Sequence, residues 1–442
     1  MGIESMKISV IGCGYLGAVH ASAMAELGHE VIGIDVDAAK IAHLAEGRPP
    51  FFEPGLPEVL TSAMASGRLR FSSDIADAAG SQVHFIAVGT PQKPGSYAAD
   101  LTYVDGAIDS LLPYLNPGDL VVGKSTVPVG TAARLAAVVE ASGSGASLAW
   151  NPEFLREGFA VHDTISPDRL VYGVPEGEAG KHAIGLLSRV YAAALVANTP
   201  LVVTDYATAE LVKVAANAFL ATKISFINAM AEIAEVSGAD VTQLADAIGY
   251  DARIGRRFLN AGVGFGGGCL PKDIRAFTAR AEELGRGESV AFLKEVDAIN
   301  LRRRKRVIDL AVSTLGGSVY NKKVAVLGLS FKPHSDDVRD SPALDVAVQL
   351  RGLGADVMAT DPQAIANSRA RHPQLSYSTS IEETLTGADA VVLVTEWPAF
   401  KDIDPAWAKT LVRTATIIDG RNTLDAAAWR AAGWNYIALG RP

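Results

Sequence analysis

The strongest constraint on this chain is a strand–turn–helix–strand pattern that occupies its start and begins again near residue 320. A long stretch without strand signals lies between the two. "KISVIGCGYLGAVHASAMAELGHEVIGIDVD" (7–37) opens the first copy. Lys7 to Ile11 is β-rich, Tyr15 to Leu27 is helical in character, Gly28 is placed to end that helix, and Val31 to Asp35 is a second strand. Further strands are expected at 82–88, 120–123, 148–150 and 169–174, with helical patterns between most of them. From 206 to about 237 the pattern is helical and nearly free of breakers, and a second helical run covers about 289–315. Then "KKVAVLGLSFKP" gives strand and loop, "SPALDVAVQLRGLG" helix, "ADVMATDP" strand, and "ADAVVLVTEW" and "TATIIDGRN" two more strands. Such alternation is that of a parallel, doubly wound sheet. The expected fold is α/β: two Rossmann-like doubly wound parallel-sheet domains, 1–203 and 319–442, joined by a central α-helical segment, 204–318. The two α/β ends read as a weak structural repeat.

With 442 residues the chain has room for two or three domains. Its 49% hydrophobic and 20% charged residues are those of a globular protein. A formal net charge of −9 lacks the electrostatic footprint of a nucleic-acid binder, so any anionic ligand must be held by local groups. Two cysteines make no disulfide framework, the CxxC spacing of zinc sites is absent, and the eight histidines are scattered. A reducing, cytoplasmic setting and no metal are expected. The apolar run 8–25 contains Ala-x-Ala and could pass for a signal peptide. Its three spaced glycines, and a lone Lys7 partly offset by Glu4, speak against that reading. No other segment is expected to span or bind a membrane.

Gly12-x-Gly14-x-x-Gly17 follows a strand and opens a helix. The first glycine permits the tight turn, the second lets the backbone approach a pyrophosphate, and the third lets helix and strand pack closely. Asp35 closes the second strand. A carboxylate there accepts hydrogen bonds from ribose hydroxyls and repels a 2′-phosphate, which favours NAD over NADP. Cys13, between the first two glycines, reads as a small filler.

The other cysteine is in a different setting. "GVGFGGGCLPKD" (262–273) places Cys269 behind a run of glycines, with Lys272 and Asp273 following. A free cysteine is usually a buried small hydrophobe. Here bare backbone admits a substrate, and neighbouring charge can raise the thiolate fraction above the few per cent of an ordinary thiol at neutral pH. Alcohol dehydrogenation needs no thiol. Carrying an aldehyde on to an acid does: sulfur adds to give a thiohemiacetal, loss of hydride gives a thioester, and water releases the acid.

The chain resembles the UDP-glucose/GDP-mannose dehydrogenase family along nearly its whole length. "ISVIGCGYLG", "GTP" at 89–91, "KSTVPVGT" at 124–131, "NPEFLREG" at 151–158, "ELVKVAANAF" at 210–219, the cysteine loop and "FKPHSDDVRDSP" at 331–342 carry the resemblance. The loop looks most like the branch that oxidises UDP-glucose. Two positions depart from the usual pattern: Gly268 stands where serine is common, and Asp340 where glutamate is.

The resemblance implies a four-electron, NAD-dependent oxidation of a nucleotide-diphosphate glucose at C6 to the glucuronate. It makes Cys269 the nucleophile. Lys213 and Asn217, one turn apart on a helix, become donors to the reacting oxygen. Asp273 is the base acting through water, Glu153 assists thioester hydrolysis, and Thr126 positions water or cofactor. Cofactor contacts fall on Gly12, Gly14, Tyr15, Leu16, Gly17, Asp35, Lys40, Thr90, Thr126, Glu157, Lys272 and Arg339. Substrate contacts fall on Glu153, Phe154, Leu155, Lys213, Asn217, Phe258, Leu259, Asn260, Gly262, Gly266 and Lys332. A UDP- or TDP-glucose substrate is expected, with GDP-mannose or a UDP-N-acetylhexosamine as alternatives. A catalytically inactive nucleotide-sugar-binding protein is the reading from a different class. The long apolar central helices imply a homodimer or higher homo-oligomer.

Overall fold

A computed structural model describes residues 4–442. The chain divides into two compact units. One comprises the residues up to 216 together with 279–285, and the other comprises 217–278 with 286–442.

The first unit is built on eight strands: β1 (Lys7–Ile11), β2 (Glu30–Ile34), β3 (Leu69–Ser72), β4 (Val83–Ile86), β5 (Leu120–Gly123), β6 (Ser147–Trp150), β7 (Leu170–Gly173) and β8 (Leu201–Thr204). They lie in the order β3-β2-β1-β4-β5-β6-β7-β8. The central strands read as continuous apolar runs because helices cover both faces of the sheet, and β4 and β5 are buried throughout. One apolar cluster, with Ile8, Val10, Phe85 and Leu120, lies on one side. A second, with Ile11, Ile86, Val121 and Trp150, lies on the other.

One pair departs from the all-parallel expectation: β6 and β7 are antiparallel, with Trp150 opposite Gly173. The connecting segment, 151–169, contains only the short helix Ala160–Ile165 and does not cross the sheet. β7 therefore starts at the end where β6 stops. The topology thus keeps "NPEFLREG" at the carboxyl ends of the strands, where ligands of such sheets bind.

The second unit holds β9 (Lys323–Leu327), β10 (Asp356–Thr360), β11 (Ser376–Tyr377), β12 (Ala390–Leu393), β13 (Thr416–Asp419) and β14 (Asn435–Ala438). All are parallel, in the order β11-β10-β9-β12-β13-β14. Strand order reverses at β9/β12, as it does at β1/β4 in the first unit. The repeat extends to detail. Gly12 N donates to Ile34 O (2.7 Å) and Gly328 N to Thr360 O (2.9 Å), each closing the turn after the first strand. Asp35 and Asp361 stand one residue past β2 and β10. Asp361, however, accepts from Leu329 N, Ser330 N, Ser330 Oγ, Trp397 Nε1, Gln363 N and Ala364 N, all within 3.1 Å.

Between the sheets the chain is helical, as its sequence suggests. The helix Tyr206–Ser237 is long and apolar enough to cross a membrane by length and composition, against the expectation that no segment beyond the N-terminal run is. Its alanine content raises its hydropathy, yet the inner face packs into protein through Ala209, Ala218, Ala221, Ile227, Ala231 and Ala234.

Candidate active site

In the first unit, the turn after β1 forms a cradle. The helix Tyr15–Glu26 opens on Gly14, whose backbone is extended and whose N-terminal amides have no side-chain cap. A Cβ on Gly14 would meet nothing within 4 Å, so the surface there is open to a ligand. A Cβ on Gly17 would lie 1.7 Å from Gly12 O, so helix and turn approach each other as only glycine allows. Asp35 accepts from Cys13 N (2.8 Å), Asp37 N (3.0 Å) and Lys40 Nζ (2.9 Å). Lys40 is thus the counter-ion of Asp35. These residues fit a dinucleotide: amides aimed at a diphosphate, and a carboxylate one strand away. Cys13 is fully buried, and burial beside Asp35 pushes its thiol far up, so it stays protonated filler.

Loops after β4 and β5 are tied together. Thr90 Oγ1 donates to Thr126 O (2.8 Å), and Ser125 Oγ to Val88 O (2.7 Å). In "NPEFLREG", Glu153 Oε2 accepts from Leu155 N (2.8 Å) and Oε1 lies 2.8 Å from Lys213 Nζ. Both side chains are largely buried, 6% exposed for Lys213 and 12% for Glu153, so this ion pair is held in a poorly solvated place. The Phe154 ring lies under the Lys213 ammonium at 5.7 Å and under the Arg169 guanidinium at 3.8 Å.

In the second unit, the helix Leu270–Glu283 starts one residue after Cys269, and Cys269 is exposed. Asp273 is buried. Its Oδ2 accepts from Asn217 Nδ2 at 2.6 Å, while Lys272 Nζ sits 2.7 Å from Oδ1 without hydrogen-bond alignment. Four predicted residues, Cys269, Lys272, Asp273 and Asn217, are therefore brought into one cluster.

The glycines of the loop answer to their neighbours. Gly267 has φ +86°, and a Cβ there would strike the Phe331 ring at 2.8 Å. A Cβ at Gly266 would lie 2.3 Å from Asp340 O, and at Gly268 the same distance from Arg339 Cζ. Gly268 thus makes room for the Arg339 guanidinium, which also grips Asp337 in a fork. A serine there would require Arg339 to turn aside. Asp340 Oδ2 accepts from Arg275 Nη1 (2.9 Å) and Oδ1 from Arg304 Nη2 (2.7 Å), so the shorter acid still bridges two arginines.

Not every expected contact is a side chain on offer. Leu259 is buried in a cluster with Ile227 and Val241, and its backbone N–H and carbonyl are both engaged by Arg256, so neither its side chain nor its backbone stands open. Phe258 has φ +66°, a strained turn beside Asn260, whose Oδ1 accepts from Arg256 (2.8 Å). Gly262 N donates to Asn228 (2.9 Å), and Lys332 lies over the Phe331 ring.

Several supporting residues escape a sequence reading. Asn300, fully buried, pairs through Oδ1 and Nδ2 with Phe265 N (2.7 Å) and O (2.9 Å). Arg421 donates to Gly264 O, Phe331 O and Val394 O, stapling the loop to the end of β12. In the first unit, Glu53 receives the Tyr15 hydroxyl, Gly158 N (2.6 Å) and Ala160 N (2.7 Å), fixing "NPEFLREG" to the dinucleotide helix. Burial and that carboxylate push the Tyr15 phenol up. Glu210 accepts from Gly130 N and Ala132 N, capping the helix that follows "KSTVPVGT". Only Glu210 stood in a motif; Asn300, Arg421 and Glu53 carry no local signal.

Sequence models of the UDP-glucose/GDP-mannose dehydrogenase family match three segments: its NAD binding domain at 6–195, its central domain at 207–302 and its UDP binding domain at 325–426. The chain is 41% identical to the UDP-glucose 6-dehydrogenase TuaD of Bacillus subtilis, covering 99% of this chain and 93% of that one. It is 41% identical to a UDP-glucose 6-dehydrogenase of Rhizobium meliloti, over 99% and 100%. Among solved structures, a UDP-glucose dehydrogenase from Pyrobaculum islandicum aligns with TM-score 0.90 and 38% identity, over 100% of this chain and 99% of that one. A UDP-D-ManNAc dehydrogenase from Pyrococcus horikoshii aligns with TM-score 0.85 and 28% identity, over 99% of each.

Proposed function

Because the chain belongs to the UDP-glucose/GDP-mannose dehydrogenase family, we propose that it oxidises UDP-glucose at C6 to UDP-glucuronate, a four-electron change, through a thioester on Cys269. The observation that carries this reading is an exposed thiol, on a glycine loop held from several sides, next to a buried carboxylate gripped by Asn217. Gly12, Gly14, Gly17 and Asp35 would hold NAD, which would supply the hydride acceptor for the two oxidations.

The residues then divide the work. Asp273 takes the alcohol proton through water in the first oxidation; Asn217 and Lys272 hold it ready as an acceptor. Cys269 Sγ bonds to the aldehyde carbon, giving a thiohemiacetal, and after the second oxidation carries the acyl group as a thioester. Lys213 and Asn217, on one face of the same helix, donate to the oxygen that gains negative charge. Glu153 takes a proton from the water that attacks the thioester. A C–O bond forms, the C–S bond breaks, and the thiol is restored. Lys332 and Arg339 supply cations for the nucleotide diphosphate.

The test is stoichiometric. UDP-glucose with excess NAD⁺ should yield two NADH per sugar nucleotide, read at 340 nm, and a product that is an acid. A yield of one, or turnover only with TDP-glucose, GDP-mannose or a UDP-N-acetylhexosamine, would reject the assignment.

A homodimer is proposed through the outer face of the helix Tyr206–Ser237. Phe219, Phe226 and Ile233 recur there at seven-residue spacing, exposed by 68%, 48% and 59%. Such an apolar stripe suits a second copy of the same helix. Phe226→Glu should shift the species seen by light scattering to the monomer mass; an unchanged mass would place any dimer contact elsewhere. A cytoplasmic protein fits this reading, the same face being covered by protein rather than lipid.

A further inference from the structure

Lys124 opens "KSTVPVGT" and has no role in the proposed reaction. Its side chain turns inward, leaving the residue 7% exposed. Its ammonium donates to Asn151 Oδ1 (3.0 Å) and Tyr191 OH (3.1 Å). Tyr191 OH donates to the same Asn151 oxygen at 2.6 Å. Asn151 Nδ2 donates to Val171 O (3.0 Å), and Asn151 N to Gly123 O (2.8 Å). Asn151 is thereby held on every polar atom that its side chain has, and it is the first residue of the segment carrying Glu153.

A buried cation is usually paired with an anion. Lys124 has two neutral partners and, among the described residues, no carboxylate in contact. The compensating charge is Glu153, which lines the same cavity along with His20, Leu16 and Arg169. Glu153 attracts Lys124, and Lys213 repels it. Lys213 is paired to Glu153, and Lys124 feels the charge of both.

Resting on the proposed reaction, we infer that Lys124 is a positioning residue for the hydrolytic step: it locks the start of "NPEFLREG" through Asn151 and gives the Glu153–Lys213 pair a net positive surround. That surround favours the oxyanion that Lys213 meets. The hydride-transfer steps do not require it.

Burial brings the Lys124 ammonium down to about 8. The charge is therefore present below that pH and is lost as pH rises through it. Two titratable groups facing it, His20 and Tyr191, stay in one state there. Burial holds His20 neutral well below its ordinary value and pushes the Tyr191 phenol well above its own. Glu153 and Lys213 are paired with each other. Asp163, paired with Arg156, and Asp168 and Arg169 line the far part of the cavity.

The experiment follows decay of the acyl-enzyme, in which Cys269 is esterified and cannot titrate. Enzyme is mixed with UDP-glucose and excess NAD⁺, then acid-quenched for intact-protein mass. Wild type should show acyl-enzyme decay slowing as pH passes about 8. Lys124→Met should keep the two-NADH burst but slow decay by ~10-fold or more, with that alkaline limb gone. Lys124→Arg, which cannot deprotonate, should retain hydrolysis and move the limb out of range. If Lys124→Met fails to fold, the arginine variant alone decides: an unmoved limb overturns the inference. So does Lys124→Met with wild-type decay, or with burst and decay lost together. A wild-type enzyme giving no second NADH would sink the proposed reaction instead.

Discussion

Cys269→Ser is expected to stop acid formation while nucleotide-sugar binding persists. The change exchanges one sulfur for an oxygen and leaves the loop's supports, Asn300, Arg421 and the Arg275–Asp340 contact, in place. Stability should therefore move little. A serine hydroxyl is a far weaker nucleophile than a thiol at neutral pH, and no histidine is placed to activate it in the motif that carries it. Loss of the covalent route should cost at least ~10³-fold in kcat, the order seen when a nucleophile is removed. NADH per sugar should fall from two toward one or less, with aldehyde trapped by hydroxylamine and no acyl adduct by mass spectrometry. Acid produced at the wild-type rate would remove the covalent step.

The second large effect is at Lys213. Lys213→Met should lower kcat by ~10²–10³-fold, the cost of losing a donor aimed at developing negative charge. It should also destabilise the fold by about 3 kcal/mol, because a largely buried Glu153 is left without its cation. The double variant Lys213→Met with Glu153→Gln separates the two effects. Removing both charges should restore most of the melting temperature, read by calorimetry, and none of the activity. Recovery of activity in the double variant would mean that Lys213 serves only to neutralise Glu153.

Local chemistry was what the sequence displayed well. Three glycines at fixed spacing and an acid closing the next strand concern one turn and its neighbour, so the cradle at Gly12–Gly17 and Asp35 could be read directly. The helix 206–237 was equally plain, having no breaker to interrupt it. Pairing direction was not legible, because β7 meets β6 antiparallel through a connection whose path depends on tertiary packing. The unexpected strands β3, β8, β11 and β14 are the edges of their sheets, and none is buried along its whole length as the similarly short β4, β5 and β12 are, so their burial leaves a weaker apolar signature. The resemblance singled out Lys213 and Glu153 separately, yet nothing in their spacing says that they touch. Asn300 and Arg421 act on the cysteine loop across 35 and 157 residues of chain, which no local motif can encode.

Asp361 shows why two sheets of one design need not recognise the same ligand. A carboxylate offers about four lone-pair positions, and those of Asp361 already face six donors from its own surroundings, with the Trp397 indole laid across them. Its counterpart Asp35 has three. In the second sheet the acid at this position is thus an internal brace. With its lone pairs already taken, the Asp361 carboxylate leaves a ribose hydroxyl no acceptor of its own to meet.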